Sequence, residues 1–261
     1  MQSRVADRFI EIVNKGNKAL IPYITAGLPS LDGSLELALR LEDAGADILE
    51  IGVPFSDPIA DGPIIQRASE IALSLGINTD NVFELSAGIR KKSSVPIVLM
   101  IYYNCVFRYG IEKFCNACAD AGVDGLIVPD LPFEESHELT EGIMKLPIDL
   151  IMLAAPSSKG RLKTVLRDAK GFVYCVSALG VTGERKNLFD GLKDLLDDVA
   201  KVTDLPRAVG FGLSSREQIV KIKNDCEGVI IGSSLMRRLM DNGIEDCVGF
   251  VSGIRDTLNL S

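Results

Sequence analysis

The chain has 261 residues, 47% of them hydrophobic and 25% charged, an ordinary globular composition that fits one large domain or two small ones. Its formal net charge is −8 and no basic tract offsets it, which excludes nucleic acid and anionic membranes as partners but not a phosphate held locally by backbone N–H groups. No apolar run approaches the ~18 residues of a membrane span.

Residues 2–15 have the spacing of an amphipathic helix, with Val5, Phe9, Ile12 and Val13 on one face. The same stretch carries Arg4, Asp7, Arg8, Glu11 and Lys15, which is not the pattern of a secretory leader. Six cysteines, at 105, 115, 118, 175, 226 and 247, sit mostly inside apolar runs. The expectation is a reducing, cytoplasmic setting with free thiols. Cys115 and Cys118 have a spacing used in metal and redox sites. No second pair follows at zinc spacing, and the only histidine is His137. The pair reads as small apolar residues on a helix, and no metal is expected.

Beyond the first helix, apolar or β-rich runs recur at 19–25, 47–53, 95–102, 124–130, 148–154, 171–177, 206–211 and 227–232. Helical patterns separate them, for example at 35–43, 114–120 and 216–223. Strands alternating with helices imply parallel βαβ units. Eight such runs in one chain of this length predict an α/β fold, a closed (β/α)8 or TIM barrel forming a single domain over 1–261. The N-terminal helix is extra to the barrel. The loops after strands 2 and 6 are long: the first must hold 54–63 and helices near 64–73 and 80–92, and the second spans 178–187 with Gly180 and Gly183. Long, glycine-hinged βα loops are candidate lids.

Strand 2 breaks its own apolar pattern. In Asp47-Ile-Leu-Glu-Ile-Gly-Val53, Glu50 shares a face with Ile48 and Gly52. A carboxylate there is costly unless it is paired or neutral. An internal echo sharpens the point: Asp43-Ala-Gly-Ala-Asp47 leads into strand 2, and Asp120-Ala-Gly-Val-Asp124 into strand 4. In each, a glycine ends a helix and an aspartate opens the next strand. Aligning the units sets Glu50 opposite Ile127, so packing alone would choose an aliphatic. Catalytic groups sit at the C-terminal ends of barrel strands; a buried acid bonded to backbone is the alternative. Asp61 follows on the proline-rich loop, where spacing equally allows an Asp-Gly turn. Asp130, ending strand 4, reads as a loop anchor more than as a second acid. Tyr174 fits core packing as well as substrate contact, and His137 has no assigned role.

The last two units suggest an anion site. Strand 7 runs into Gly210-Phe-Gly-Leu-Ser-Ser215, where Ser215-x-x-Gln218 is a capping box, and strand 8 runs into Gly232-Ser233-Ser234. Each places glycine or serine at a helix N-terminus, and loops after strands 7 and 8 are the usual phosphate site of barrels. Ordinary helix capping would leave the same trace.

These residues together resemble the tryptophan synthase alpha chain family. The segment Leu49-Glu-Ile-Gly-Val-Pro-Phe-Ser-Asp-Pro-Ile-Ala-Asp-Gly-Pro63 is similar to its signature. Pro22-Tyr-Ile-Thr-Ala-Gly27, Tyr102-Tyr-Asn104, Pro129-Asp-Leu-Pro132, Gly180-Val-Thr-Gly183 and Gly210-Phe211-Gly212 fall in the family's order. The resemblance implies a lyase that cleaves indole-3-glycerol phosphate to indole and glyceraldehyde 3-phosphate in tryptophan biosynthesis. It implies a beta-chain partner in a heterotetramer of two alpha and two beta chains. The cofactor pyridoxal phosphate belongs to the beta chain, and none is expected on this one.

Position by position, the resemblance makes Glu50 the acid–base group and Asp61 the holder of the indole N–H. It puts Tyr23, Met100, Tyr174 and Phe211 in the substrate pocket, and makes Thr182 the lid residue that meets Asp61. Gly183, Gly212, Gly232 and Ser233 become phosphate contacts, and Pro54, Asp57, Pro58 and Asn104 face the partner. Tyr23 stands where the family usually has phenylalanine, and Met100 where leucine is common; the Tyr23 hydroxyl therefore needs a partner. Burial of Glu50 should raise its pKa and let it hold a proton near neutral pH. A different phosphate-sugar barrel, such as an isomerase, would share the glycine turns but has no use for Glu50 with Asp61. A non-catalytic activator subunit would have no need to keep Glu50.

Overall fold

The computed structural model describes residues 3–176, 191–210, 213 and 215–259. The loop 178–187 with Thr182 and Gly183, and the residues Phe211 and Gly212, lie outside the described residues.

The predicted strand runs appear as β1 (Ala19–Thr25), β2 (Leu49–Gly52), β3 (Ile97–Met100), β4 (Gly125–Ile127), β5 (Asp149–Leu150), β6 (Met152–Ala154), β7 (Val173–Val176), β8 (Arg207–Gly210) and β9 (Gly228–Ile231). They form one parallel sheet in the order β5-β4-β3-β2-β1-β9-β8-β7-β6. Eight expected strands become nine because the fifth run changes partner at Ile151. Below that residue β5 pairs with β4, and above it β6 pairs with β7. The two ends of the sheet are therefore consecutive pieces of one stretch, and the barrel closes there.

The register shows the barrel's stagger. Glu50 is level with Val98, and Val98 with Gly125. Its sequence equivalent Ile127 thus lies two residues higher on β4, one per strand step, as a shear of about 8 over eight strands requires.

The helix α1 (Arg4–Asn14) buries Val5, Phe9 and Ile12, a stripe at i, i+4 and i+7. Val13 falls at the edge of that stripe and is 45% exposed, contrary to expectation. Phe9 meets Phe172 at 5.2 Å between ring centroids and plugs the N-terminal end of the barrel.

At that same rim the sequence echo becomes a repeated clamp. Asp47 accepts the N–H of Leu20 at 2.9 Å, and Asp124 accepts that of Ile97 at 2.8 Å. Each aspartate closes the first turn of the preceding strand. Gly45 and Gly122 have φ of 102° and 77°, which a side chain would strain. A guanidinium lies against each: Arg255 of α12 (Ile244–Asn259) donates to the Gly45 carbonyl and Asp47, and Arg90, ending α4 (Thr79–Arg90), to the Gly122 carbonyl and Asp124.

The opposite, C-terminal rim carries the other side chains of interest. The loop after β2 leads to α3 (Pro63–Ser74), capped at Gly62 with Pro63 in its first turn. After β3 comes α5 (Tyr103–Tyr109), and after β9 comes α11 (Ser233–Asn242). Among the described residues no helix is long and apolar enough to cross a membrane. All six cysteines are unpaired thiols, and five are buried.

Candidate active site

Glu50 is 1% exposed and points into the barrel, level with Tyr23 on β1. Among the described residues neither of its carboxyl oxygens has a hydrogen-bond partner. Among the described residues, then, nothing supports the alternative of a backbone-bonded structural acid. It borders a cavity of about 240 Å³ together with Tyr23, Asp61, Met100, Tyr174, Gly232 and Ser233. Seven of the sequence-predicted catalytic and substrate-contact residues are thus brought to one space by four strands and the connections after β2 and β9.

Two other hollows have different contents. A recess of about 640 Å³ lies at the N-terminal rim, but its Arg8 and Arg255 are committed to Asp47. One of about 280 Å³ beside the ends of β4 to β6 contains the Arg161–Glu134 ion pair and Asp130. Asp130 accepts the N–H of Tyr103 at 2.8 Å and so anchors the start of α5, the loop role expected of it.

Electrostatics separate the two acids. Burial, reinforced by the charge of Asp61, pushes the Glu50 carboxyl up to about 8. Burial also raises Asp61, to about 6, while a hydrogen bond from Tyr102 opposes that rise. Near neutral pH Glu50 therefore holds its proton and Asp61 is an anion. Environments that push two carboxyls apart mark one as proton donor and the other as charge stabiliser.

The tyrosines are set by glycines. A Cβ on Gly52 would meet the Tyr23 hydroxyl at 2.0 Å, and one on Gly210 would meet the Tyr174 hydroxyl at 2.4 Å. In each case the glycine lies two residues above the tyrosine's partner on the next strand, Glu50 for Tyr23 and Ala208 for Tyr174. Each ring thus leans across the neighbouring strand where that strand has no side chain. Thr25 Oγ1 donates to the Tyr23 hydroxyl at 3.3 Å, supplying the partner that this oxygen required. Burial pushes both phenols well above their ordinary range, so both keep their protons.

The two glycine–serine turns meet at the mouth. Ser215 and Gln218 form the expected capping box of α10 (Arg216–Ile222). Ser234 Oγ donates to the Leu213 carbonyl at 3.1 Å, joining the turn before α11 to the turn before α10. Gly232 and Ser233 line the cavity where the first N–H groups of α11 lack intrahelical partners.

Sequence reasoning missed three features of this rim. Tyr102, just past β3, stacks on Phe55 at 5.0 Å and donates to Asp61 Oδ2 at 3.1 Å. Its motif was visible, but its contact with Asp61 was not. Ile59 and Phe107 are 82% and 65% exposed beside the site. Of the residues expected to face a partner, Asp57 and Asn104 are exposed and Pro58 half-buried, but Pro54 is buried where the chain leaves β2 and offers no surface.

The model of the family described as tryptophan synthase alpha chain matches residues 9–250. An Alkaliphilus metalliredigens tryptophan synthase alpha chain is 47% identical over 246 residues, 94% of this chain and 92% of that one. One from Thermoanaerobacter sp. is 41% identical over 261 residues, 98% and 100% of the two chains. Among solved structures, a chain of Mycobacterium tuberculosis tryptophan synthase superposes with a TM-score of 0.92 at 35% identity, covering 100% of both. Tryptophan synthase subunit alpha from Legionella pneumophila gives 0.91 at 31% identity, covering 99% of both. With this fold, this pair of carboxyls and relatives along its whole length, the chain belongs to the tryptophan synthase alpha chain family.

Proposed function

We propose that the chain is the lyase of the alpha reaction, cleaving indole-3-glycerol phosphate to indole and glyceraldehyde 3-phosphate, with Glu50 as acid and base and Asp61 at the ring nitrogen. The observation that carries this reading is the pair of acids in one cavity, Glu50 raised to about 8 with no hydrogen-bond partner among the described residues and Asp61 near 6. A protonated Glu50 gives its proton to indole C3. The ring nitrogen becomes positive, and ionised Asp61 stabilises that charge and holds the N–H. Glu50, now a carboxylate, takes the proton of the hydroxyl on the adjacent glycerol carbon. That oxygen forms the aldehyde, the C3–carbon bond breaks, and its electron pair returns to the ring. One proton is given and one regained, so Glu50 ends as it began. Proton transfer and charge stabilisation supply the whole step, and the chain needs no metal or organic cofactor of its own.

Substrate fits from both ends. Met100, Tyr23 and Tyr174 offer apolar walls for the indole ring. Gly232, Ser233 and the start of α11 offer N–H groups and helix dipole to the phosphate, which fixes the glycerol against Glu50. Phe211, Gly212, Thr182 and Gly183 complete the pocket in this reading. The partner is a beta chain, which carries the pyridoxal phosphate and receives the indole, in an assembly of two alpha and two beta chains. Exposed Ile59 and Phe107, beside Asp57 and Asn104, support a docking face at the mouth. Incubating the purified chain with indole-3-glycerol phosphate and measuring indole tests the reading; no indole above the Glu50→Gln background refutes it.

A further inference from the structure

We infer that Tyr102 is a positioning residue: its hydroxyl holds Asp61 as an oriented carboxylate with one oxygen left for the substrate. The inference rests on the role proposed above for Asp61. Three contacts carry it. The Tyr102 oxygen accepts the N–H of Ala60 at 3.0 Å. Its single proton is then directed at Asp61 Oδ2, 3.1 Å away. Its ring is 4% exposed and lies on Phe55 at 27° between planes, so the phenol has no room to turn aside. One side chain thereby fixes two successive residues of the loop, the backbone of Ala60 and the carboxylate of Asp61. Among the described residues Asp61 Oδ1 accepts no hydrogen bond, which leaves it for the cavity.

The surroundings of Asp61 make this phenol decisive. Glu50 faces it from β2, Tyr23 from β1 and Tyr174 from β7, along with Tyr102 after β3. Glu50 is neutral below about 8, and the tyrosines stay neutral because burial raises them. Among the described residues no Lys, Arg or His forms an ion pair with Asp61. A half-buried carboxylate without a cation tends to take up a proton. The Tyr102 hydroxyl is the hydrogen bond that opposes this. With its oxygen occupied by Ala60 N–H, it can only donate, so it favours the anion over the acid.

Tyr102→Phe keeps the stacked ring and removes the hydroxyl. Without the donor Asp61 binds its proton more tightly, so ionisation is lost at higher pH as pH falls. Hydrogen bonds to charged groups are worth enough that the Asp61 titration, followed by NMR of its 13C-labelled carboxyl, should move up by about one pH unit or more. The acid limb of kcat/KM for indole release should move by the same amount, so kcat/KM at about pH 5, on that limb, should fall about tenfold, and at neutral pH about twofold or more. Affinity for glyceraldehyde 3-phosphate should stay near that of the parent, because the phosphate end is untouched. An unchanged carboxyl titration with an unchanged acid limb overturns the inference. If the parent itself released no indole, the functional reading would fail, and the carboxyl titration alone would still decide the role of Tyr102.

Discussion

Replacing Glu50 by glutamine should make the chain more stable and nearly inactive at once. Glutamine keeps the side-chain size and loses the ionisable proton. In the unfolded chain the carboxyl titrates near 4.5; in the fold, burial and the Asp61 charge hold it at about 8. Between those values the unfolded state gives up a proton that the folded state retains. Stability of the parent therefore falls by about 1.36 kcal/mol per pH unit from 4.5 upward and levels off above 8. At pH 7 the accumulated cost is about 3 kcal/mol, and glutamine removes it. Urea unfolding of parent and variant at about pH 5, 7 and 8.5 measures the difference, and contributions from other groups cancel in it. The gain should be under about 1 kcal/mol at pH 5 and grow by about 2.5 kcal/mol by pH 7. Indole release should drop by about 10²- to 10⁴-fold. A stability difference that does not change with pH would show that the fold does not keep Glu50 neutral. Indole release within about threefold of the parent, against the expected acid–base contribution, would remove Glu50 from the chemistry.

The parent should show a bell-shaped pH profile for kcat/KM. Activity falls below about 6 as Asp61 gains a proton and above about 8 as Glu50 loses one, the two limbs belonging to the coupled pair; a flat profile from about pH 5 to 9 refutes the assignment. Asp61→Asn should stay folded by circular dichroism and lose about 10² or more in kcat, since it cannot carry the charge at the ring nitrogen. Ser233→Asp, at the N-terminus of α11, should weaken glyceraldehyde 3-phosphate about tenfold or more while indole affinity holds, as judged by calorimetry. Asp124→Ala takes one shared partner from Arg4, Arg90 and the Ile97 N–H, leaving Arg90 only its carbonyl contacts. It should cost about 3 kcal/mol or more and lower Tm on the order of 10 °C by calorimetry.

The apolar runs made the barrel legible, because parallel strands covered on both faces have little room for polar residues. Glu50 was legible for the same reason, as a lone acid in such a run. What remained hidden depends on contacts across long sequence separations. Tyr102 and Asp61 are 41 positions apart, and Arg255 and Asp47 are 208 apart. No local period encodes either pair. The Asp-Ala-Gly-x-Asp echo announced a repeated structural need, but only the fold shows that arginines from different helices meet it. The partner change at Ile151 was equally invisible, since both pieces of that strand have the same alternation. Pro54 was expected at the partner face from the family resemblance alone, and the chain is still buried inside the rim there.

Strand β2 brings both demands on the fold into a few residues. Asp47, just before it, is held by Arg8, by Arg255 and by the Leu20 N–H. Glu50, inside it, has no hydrogen-bond partner among the described residues. Both are acids and both are buried, at 7% and 1% exposure. The difference is the end of the barrel each one faces. At the N-terminal rim, helices bring guanidinium groups and strand starts offer N–H groups, so a carboxylate there ties elements together. At the C-terminal rim, Glu50 meets a cavity of apolar walls and protonated phenols, so it stays neutral and reactive. An arginine paired with Glu50 would hold it as a carboxylate and remove the proton that the proposed reaction uses. An unsatisfied acid at one end is tolerable because the paired acids at the other supply stability. The two rims thus divide the work, and the boundary between them falls between Asp47 and Glu50, three positions apart where one strand begins.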